Sequence, residues 1–195
     1  ECWGGGGAGG SAENGATAAQ TRASGGAGGT YSKKTITNPA SGNYNYVVGA
    51  GGIPSGSPLT NLSYAPSGGL TSFSNPSMEI VALAKGGNGG QNLLPTTATS
   101  GLAILGETSD NIGDVGNVFF GGGAAASGSG GSSGGGASGG STGVGASGTI
   151  TNGGLPFLNG GGGAGGNGTN LTGTYATAGT APGGAGGGGT VKGGL

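Results

Sequence analysis

Three carboxylates, Glu107, Asp110 and Asp114, form the densest group of potential ligands in this sequence. Oxygen donors at that density suit a hard cation such as Ca²⁺. Their spacing, however, follows neither the EF-hand loop nor the glycine–aspartate nonapeptide repeat. They read as a solvated loop, and no metal site is expected. The chain contains no histidine, which removes the usual base of nucleophilic catalysis and the commonest nitrogen ligand. Cys2 is the single cysteine; it has no partner for an internal disulfide and no base beside it, so it reads as a buried thiol. G-x-G-x-x-G occurs at Gly4, Gly6 and Gly9, but 59 of the 195 residues are glycine and such matches arise by chance. No phosphate-binding G-x-x-x-x-G-K-[ST] is present, since Lys85 and Lys192 are each followed by glycine. The residue types therefore predict no catalytic residue, no cofactor and no enzyme.

Charge narrows the partners. Five basic and six acidic residues leave a net charge of −1, and Lys33-Lys34 is the only basic pair. Phosphate neutralisation needs a basic face, so no nucleic-acid partner is expected. The longest apolar run, 80–84, is far too short to cross a bilayer, and no membrane insertion is expected. No basic, apolar leader opens the sequence. Asn61, Asn167 and Asn170 each begin an N-x-[ST] glycosylation pattern. The aromatic residues able to stack on a ligand are Tyr44, Tyr46, Tyr64, Phe157 and Tyr175. Packing is the expected role of Tyr44 and Tyr46, which fall in predicted strands.

The elements that must position these residues are unusual. Residues 31–37 and 44–48, rich in Tyr, Ile, Thr and Val, read as the strands of a hairpin around the turn residues 38–43. A second hairpin is predicted over 71–84, around Asn75-Pro76. Between and beyond them run glycine tracts at about 4–10, 25–29, 86–90, 121–148, 160–168 and 183–194. Segments 53–70, 91–112, 149–157 and 169–182 hold most of the remaining apolar and aromatic side chains and read as loops. Helix is unfavourable throughout, because glycine costs about 1 kcal/mol per residue relative to alanine and no 3.6-residue pattern appears. Unbroken runs such as 4–7 and 186–189 exclude the strict triplet of collagen. The charged fraction of 6% is too low for self-repulsion to hold the chain open.

Ordering glycine costs roughly 1–2 kcal/mol per residue or more, and these tracts have few side chains to bury in return. Backbone groups must compensate. A chain with three residues per turn and no internal hydrogen bonds directs its N–H and C=O groups outward, where neighbouring tracts can take them up. The predicted fold is therefore mostly irregular/β: packed polyglycine II helices connected by loops and short antiparallel β-hairpins, with almost no α-helix. Alanine and serine are expected at the rim, with anything larger in the surface or the loops. The whole chain, 1–195, reads as a single glycine-rich domain and as a piece of a longer chain, since 1–3 resembles the tail of a strand and 191–195 the approach to another.

Glu1-Cys2-Trp3-Gly4-Gly5-Gly6-Gly7-Ala8-Gly9-Gly10, then YSKKTIT at 31–37 and YNYVVGAGG at 44–52, follow one another in order. Ser72-Phe73 and VALAKGG at 81–87 come next. This series resembles the glycine-rich domain of bacteriophage and prophage tail-fibre and adhesin proteins, closely over 1–90 and loosely beyond. The insert at 91–114 and the lack of a C-terminal strand depart from that pattern. The resemblance implies a polyglycine II bundle whose loops touch a host receptor, on a virion tail or surface fibre outside the cell. A host cell-surface receptor, protein or glycan, and other virion or fibre subunits, including further copies of the chain, are the implied partners. Leu62, Tyr64, Phe157 and Tyr175 are the expected receptor-binding anchors. The competing reading is a purely structural surface fibre, decoration or matrix protein, secreted or on a cell surface.

Overall fold

The computed structural model describes residues 1–13, 23–53, 64–91, 118–120, 122–123, 134–149, 152–156, 161–168, 176–187 and 189–191. These residues contain no helix; they form glycine tracts and eight short strands. The architecture is mostly irregular and β.

Tract 134–140 shows how glycine is held. The N–H groups of Gly134, Ala137 and Gly140 donate to Thr149, Ala146 and Gly143, all in one neighbour. Those of Gly135 and Ser138 donate to Gly166 and Gly163 in a second, and those of Gly136 and Gly139 to Gly26 and Gly29 in a third. Its carbonyls accept from Gly123, Gly154 and Ala185, in three further tracts. Partners recur every third residue, as a helix of three residues per turn requires. This polyglycine II tract has a neighbour on each of six sides and is buried from end to end.

The rule repeats elsewhere. Gly4, Gly7 and Gly10 donate to Thr30, Ala27 and Ser24, while Gly5 and Ala8 donate to Gly69 and Pro66. Gly26 and Gly29 donate to Gly186 and Gly183, while Ala27 and Thr30 donate to Asn88 and Lys85. A Cβ on most tract glycines would strike a carbonyl of the next tract: Ala137 from Gly28, Ala27 from Gly87, Thr180 from Gly163. Backbones can approach that closely only where Cβ is missing.

Successive tracts run up and down, and at one end the turns grow into sheets. β1 (Cys2–Trp3), β3 (Tyr31–Lys33) and β7 (Val118–Phe120) make one antiparallel sheet in the order β1-β3-β7. β4 (Asn45–Val47), β5 (Thr71–Ser74) and β6 (Ile80–Ala84) make the other, in the order β4-β5-β6. Cys2, Ala82 and Ala84 pack between the sheets with Phe73 against them. At the opposite end β2 (Ser11–Glu13) pairs in parallel with β8 (Gly189–Val191).

Several expectations need correction. The strands predicted over 31–48 do not pair with each other: β3 joins β1 and β7, and β4 joins β5. Register is chosen by which partners lie across the bundle end, a long-range matter. Region 121–148 is not one tract, because Ser141-Thr142 turns the chain and Gly140 bridges Gly143. At about 3.1 Å per residue the undivided stretch would far overshoot its neighbours. Residues 65–70 and 176–180, expected in loops, belong to the lattice; Ala65 donates to Gly90, Gly69 to Ala50 and Thr180 to Ala164. Alanine and serine are not confined to the rim either. Ala27, Ala137, Ala185, Ser24 and Ser138 are fully buried, and so is Tyr31.

Ser24 and Ser138 are held by their hydroxyls. Gly163 N–H donates to Ser138 Oγ at 2.7 Å, and that hydroxyl donates to the Pro182 carbonyl at 2.7 Å. Gln91 N–H donates to Ser24 Oγ at 2.7 Å. A hydroxyl on Cβ can thus take over a lattice bond that a bare methyl would block.

Candidate functional site at the loop-bearing end

Several described tracts end or begin at the end marked by β2 and β8. Tyr64 bridges Gln91, whose N–H reaches Ser24, and Gly10 donates to Ser24. Ile53 follows Gly52, which donates to Gly6. Thr149 and Asn152 close a turn, with Thr149 N–H donating to the Asn152 carbonyl at 2.8 Å. Asn167 Oδ1 accepts from Gly153 N–H at 2.8 Å, and Asn167 N–H donates to Thr177 Oγ1 at 2.7 Å. Thr177 in turn accepts from Gly187, just before β8. Described tracts end here at 13, 53, 91, 149 and 168 and begin here at 23, 64, 134, 152 and 176.

Of the four residues expected to anchor a receptor, Tyr64 is placed here. Its side chain is 58% exposed on a backbone fixed by the bridge to Gln91. Leu62, Phe157 and Tyr175 lie outside the described residues, as do Glu107, Asp110 and Asp114 and the outer parts of all four predicted loops. Leu62 and Tyr175 are close in sequence to the re-entry points Tyr64 and Ala176. Tract 152–156, which precedes Phe157, heads for the opposite end.

Ile53, 77% exposed, flanks the predicted loop at this end on its N-terminal side. The lattice hydroxyls of Ser24 and Thr177 brace this end, and that of Thr180 braces the same tract one turn further towards the sheets; sequence reading did not anticipate this role. A signal for it exists: Thr177 and Thr180 are three residues apart, and their hydroxyls accept from Asn167 and Ala164 on the adjacent tract.

Among the described residues two side chains titrate away from their ordinary values. Burial pushes the Cys2 thiol up from its ordinary value, against a weaker opposing pull from the chain's amino group, so the thiol stays protonated and unreactive. The Tyr31 phenol is pushed up to about 12, chiefly by burial and then by the Glu1 carboxylate. Tyr31 lies between Trp3 and Phe120, with ring centroids at 5.1 and 6.5 Å. Tyr44 stacks on Phe73 at 5.4 Å. Tyr46, expected to pack, is instead 75% exposed, because β4 meets no second layer.

Fold and site together define a scaffold class: a bundle whose core is backbone, with many of its described tract ends gathered at one end. The chain belongs to the glycine-rich domain family, whose model it matches over residues 1–195. No curated protein and no solved structure matches it.

Proposed function

We propose that this chain is a non-enzymatic binding module of tail-fibre or adhesin type, in which a rigid glycine bundle presents loops to a host cell-surface receptor. The observation that carries the reading is the common anchorage of the excursions. The described flanks of 54–63, 150–151 and 169–175, and the exit into 92–117, share one end of a lattice bonded in three dimensions. Recognition concentrates in loops held by rigid scaffolds. Tract surfaces offer only backbone and methyl-sized groups, which discriminate poorly between partners. Aromatic and aliphatic anchors supply most binding energy, and Tyr64 with Leu62 and Tyr175 is the set proposed at this end, with Phe157 a fourth candidate.

The test replaces 54–63, 92–112 and 169–175 with Gly-Ser segments of equal length and measures attachment of the fluorescently labelled protein to cells of its host. Loss of attachment with an unchanged thermal unfolding transition is the expected result. Retained attachment would leave the loops as connectors and favour the structural reading, in which the module is a surface fibre or decoration subunit. One observation speaks for that second reading: an uncharged, exposed strand edge, β4, at the sheet end.

A further inference from the structure

β4 is the exposed edge. It pairs with β5 on one side only, and among the described strands it packs against no other. β1 lies over β5 and β6, and β3 over β6, so the layer above the two sheets stops short of β4. The result is a cavity of about 390 Å³, lined by Cys2 and Lys34 on one side and by Tyr46, Val48, Phe73 and Ala82 on the other. Tyr46, Val47 and Val48 are 75%, 56% and 73% exposed.

Edge strands that stay unpaired are normally blunted by shortness, a charge, a proline or a bulge; β4 is short, at three residues, but its exposed apolar edge runs on into 48–53. Residues 43–53 contain no charge, proline or bulge: the sequence is NYNYVVGAGGI, and the register of β4 on β5 is regular from Asn45 to Val47. The continuing tract keeps the same character, with Ala50 and Gly51 exposed and nothing nearer to a Cβ on Gly51 than the Gly6 carbonyl at 3.8 Å. An apolar edge without charge can meet its own copy without setting like charges opposite each other, and a net charge of −1 adds little repulsion between whole molecules.

We propose that β4 is the seam of a homodimer, in which β4 of one copy pairs antiparallel with β4 of a second about a two-fold axis at Tyr46. The two three-stranded sheets then form one sheet of six. Tyr46 of each copy faces its equivalent, Asn45 faces Val47, and the partner strand closes the open side of the cavity. A self-complementary patch of this kind is what an isologous interface needs. The pairing does not depend on what the loop-bearing end binds.

The test is sedimentation of the intact protein over a concentration series, with Tyr46→Lys as the variant. A concentration-dependent dimer is expected, and opposed lysines should raise its Kd by about tenfold or more. Tyr46 is exposed, so the variant should unfold at the wild-type temperature. Independently, Tyr46→Cys in a Cys2→Ala background should oxidise to a covalent dimer while Leu155→Cys, exposed on another face, should not. A protein that stays monomeric at its highest attainable concentration overturns the proposal. So does a dimer indifferent to Tyr46→Lys, or cross-linking equally fast from Leu155→Cys. Should Tyr46→Lys fail to fold, the cross-linking comparison decides.

Discussion

Replacing Gly163 with valine tests whether the tracts are close-packed. Gly163 is buried; its N–H donates to the Pro182 carbonyl at 2.8 Å and to Ser138 Oγ at 2.7 Å, and its carbonyl accepts from Ser138 N–H at 3.0 Å. A Cβ there would lie 2.7 Å from the Pro182 oxygen and closer still to that of Thr180. A carbon–oxygen contact needs about 3.3 Å or more, so the backbone must give by roughly 0.6 Å at Pro182 and by more than an ångström at Thr180. Stretching two of these bonds past their working range forfeits about 1 kcal/mol each. Wedging the branched side chain between backbones adds about 1–3 kcal/mol. The lost freedom of glycine in the unfolded chain returns up to about 1 kcal/mol. The net destabilisation is about 2–4 kcal/mol, or roughly 5–15 °C in Tm for a chain of this size. Tyr64→Ala removes an exposed side chain while leaving the backbone bridge, and should cost less than about 1 kcal/mol. Thermal unfolding followed by circular dichroism compares the two. If Gly163→Val melts within a degree or two of Tyr64→Ala, the close approach of tract backbones described above is wrong.

Ser138→Ala leaves Gly163 N–H with its Pro182 bond but deletes the buried hydroxyl bridge; about 1–3 kcal/mol should be lost, read as a lower Tm. The Tyr31 phenol titrates near 10 when unfolded and at about 12 when folded. Folding therefore favours the neutral form: its contribution is complete below pH 10 and disappears as pH rises through 12. Unfolding midpoints measured from pH 9 to 12 should fall over that window, and Tyr31→Phe should flatten the decline; an equal slope in the variant would refute the assignment.

Much of the fold was legible in the sequence. Glycine runs with so little charge and so few apolar residues left the backbone as the only available core, and a three-residue helix follows from needing outward N–H and C=O groups. The 71–84 stretch reads as a hairpin because Asn75-Pro76 sits between two strand-like runs, and β5 and β6 do pair across it. Tyr64 is exposed where a loop residue was expected.

What only the tertiary structure decided concerns partners. Nothing in YSKKTIT or YNYVV says that the first pairs with Cys2–Trp3 and Val118–Phe120 and the second with Thr71–Ser74. Those choices depend on which strands the tracts deliver to the same end. Where 121–148 turns was equally hidden, since Ser and Thr beside glycine fit tract and turn alike. The buried serines of the tracts followed the same logic: the hydroxyls of Ser24 and Ser138 each sit where an N–H of the next tract points at them. Local composition determined that backbones would pack. The lattice, closed between residues far apart in the chain, determined which backbone met which.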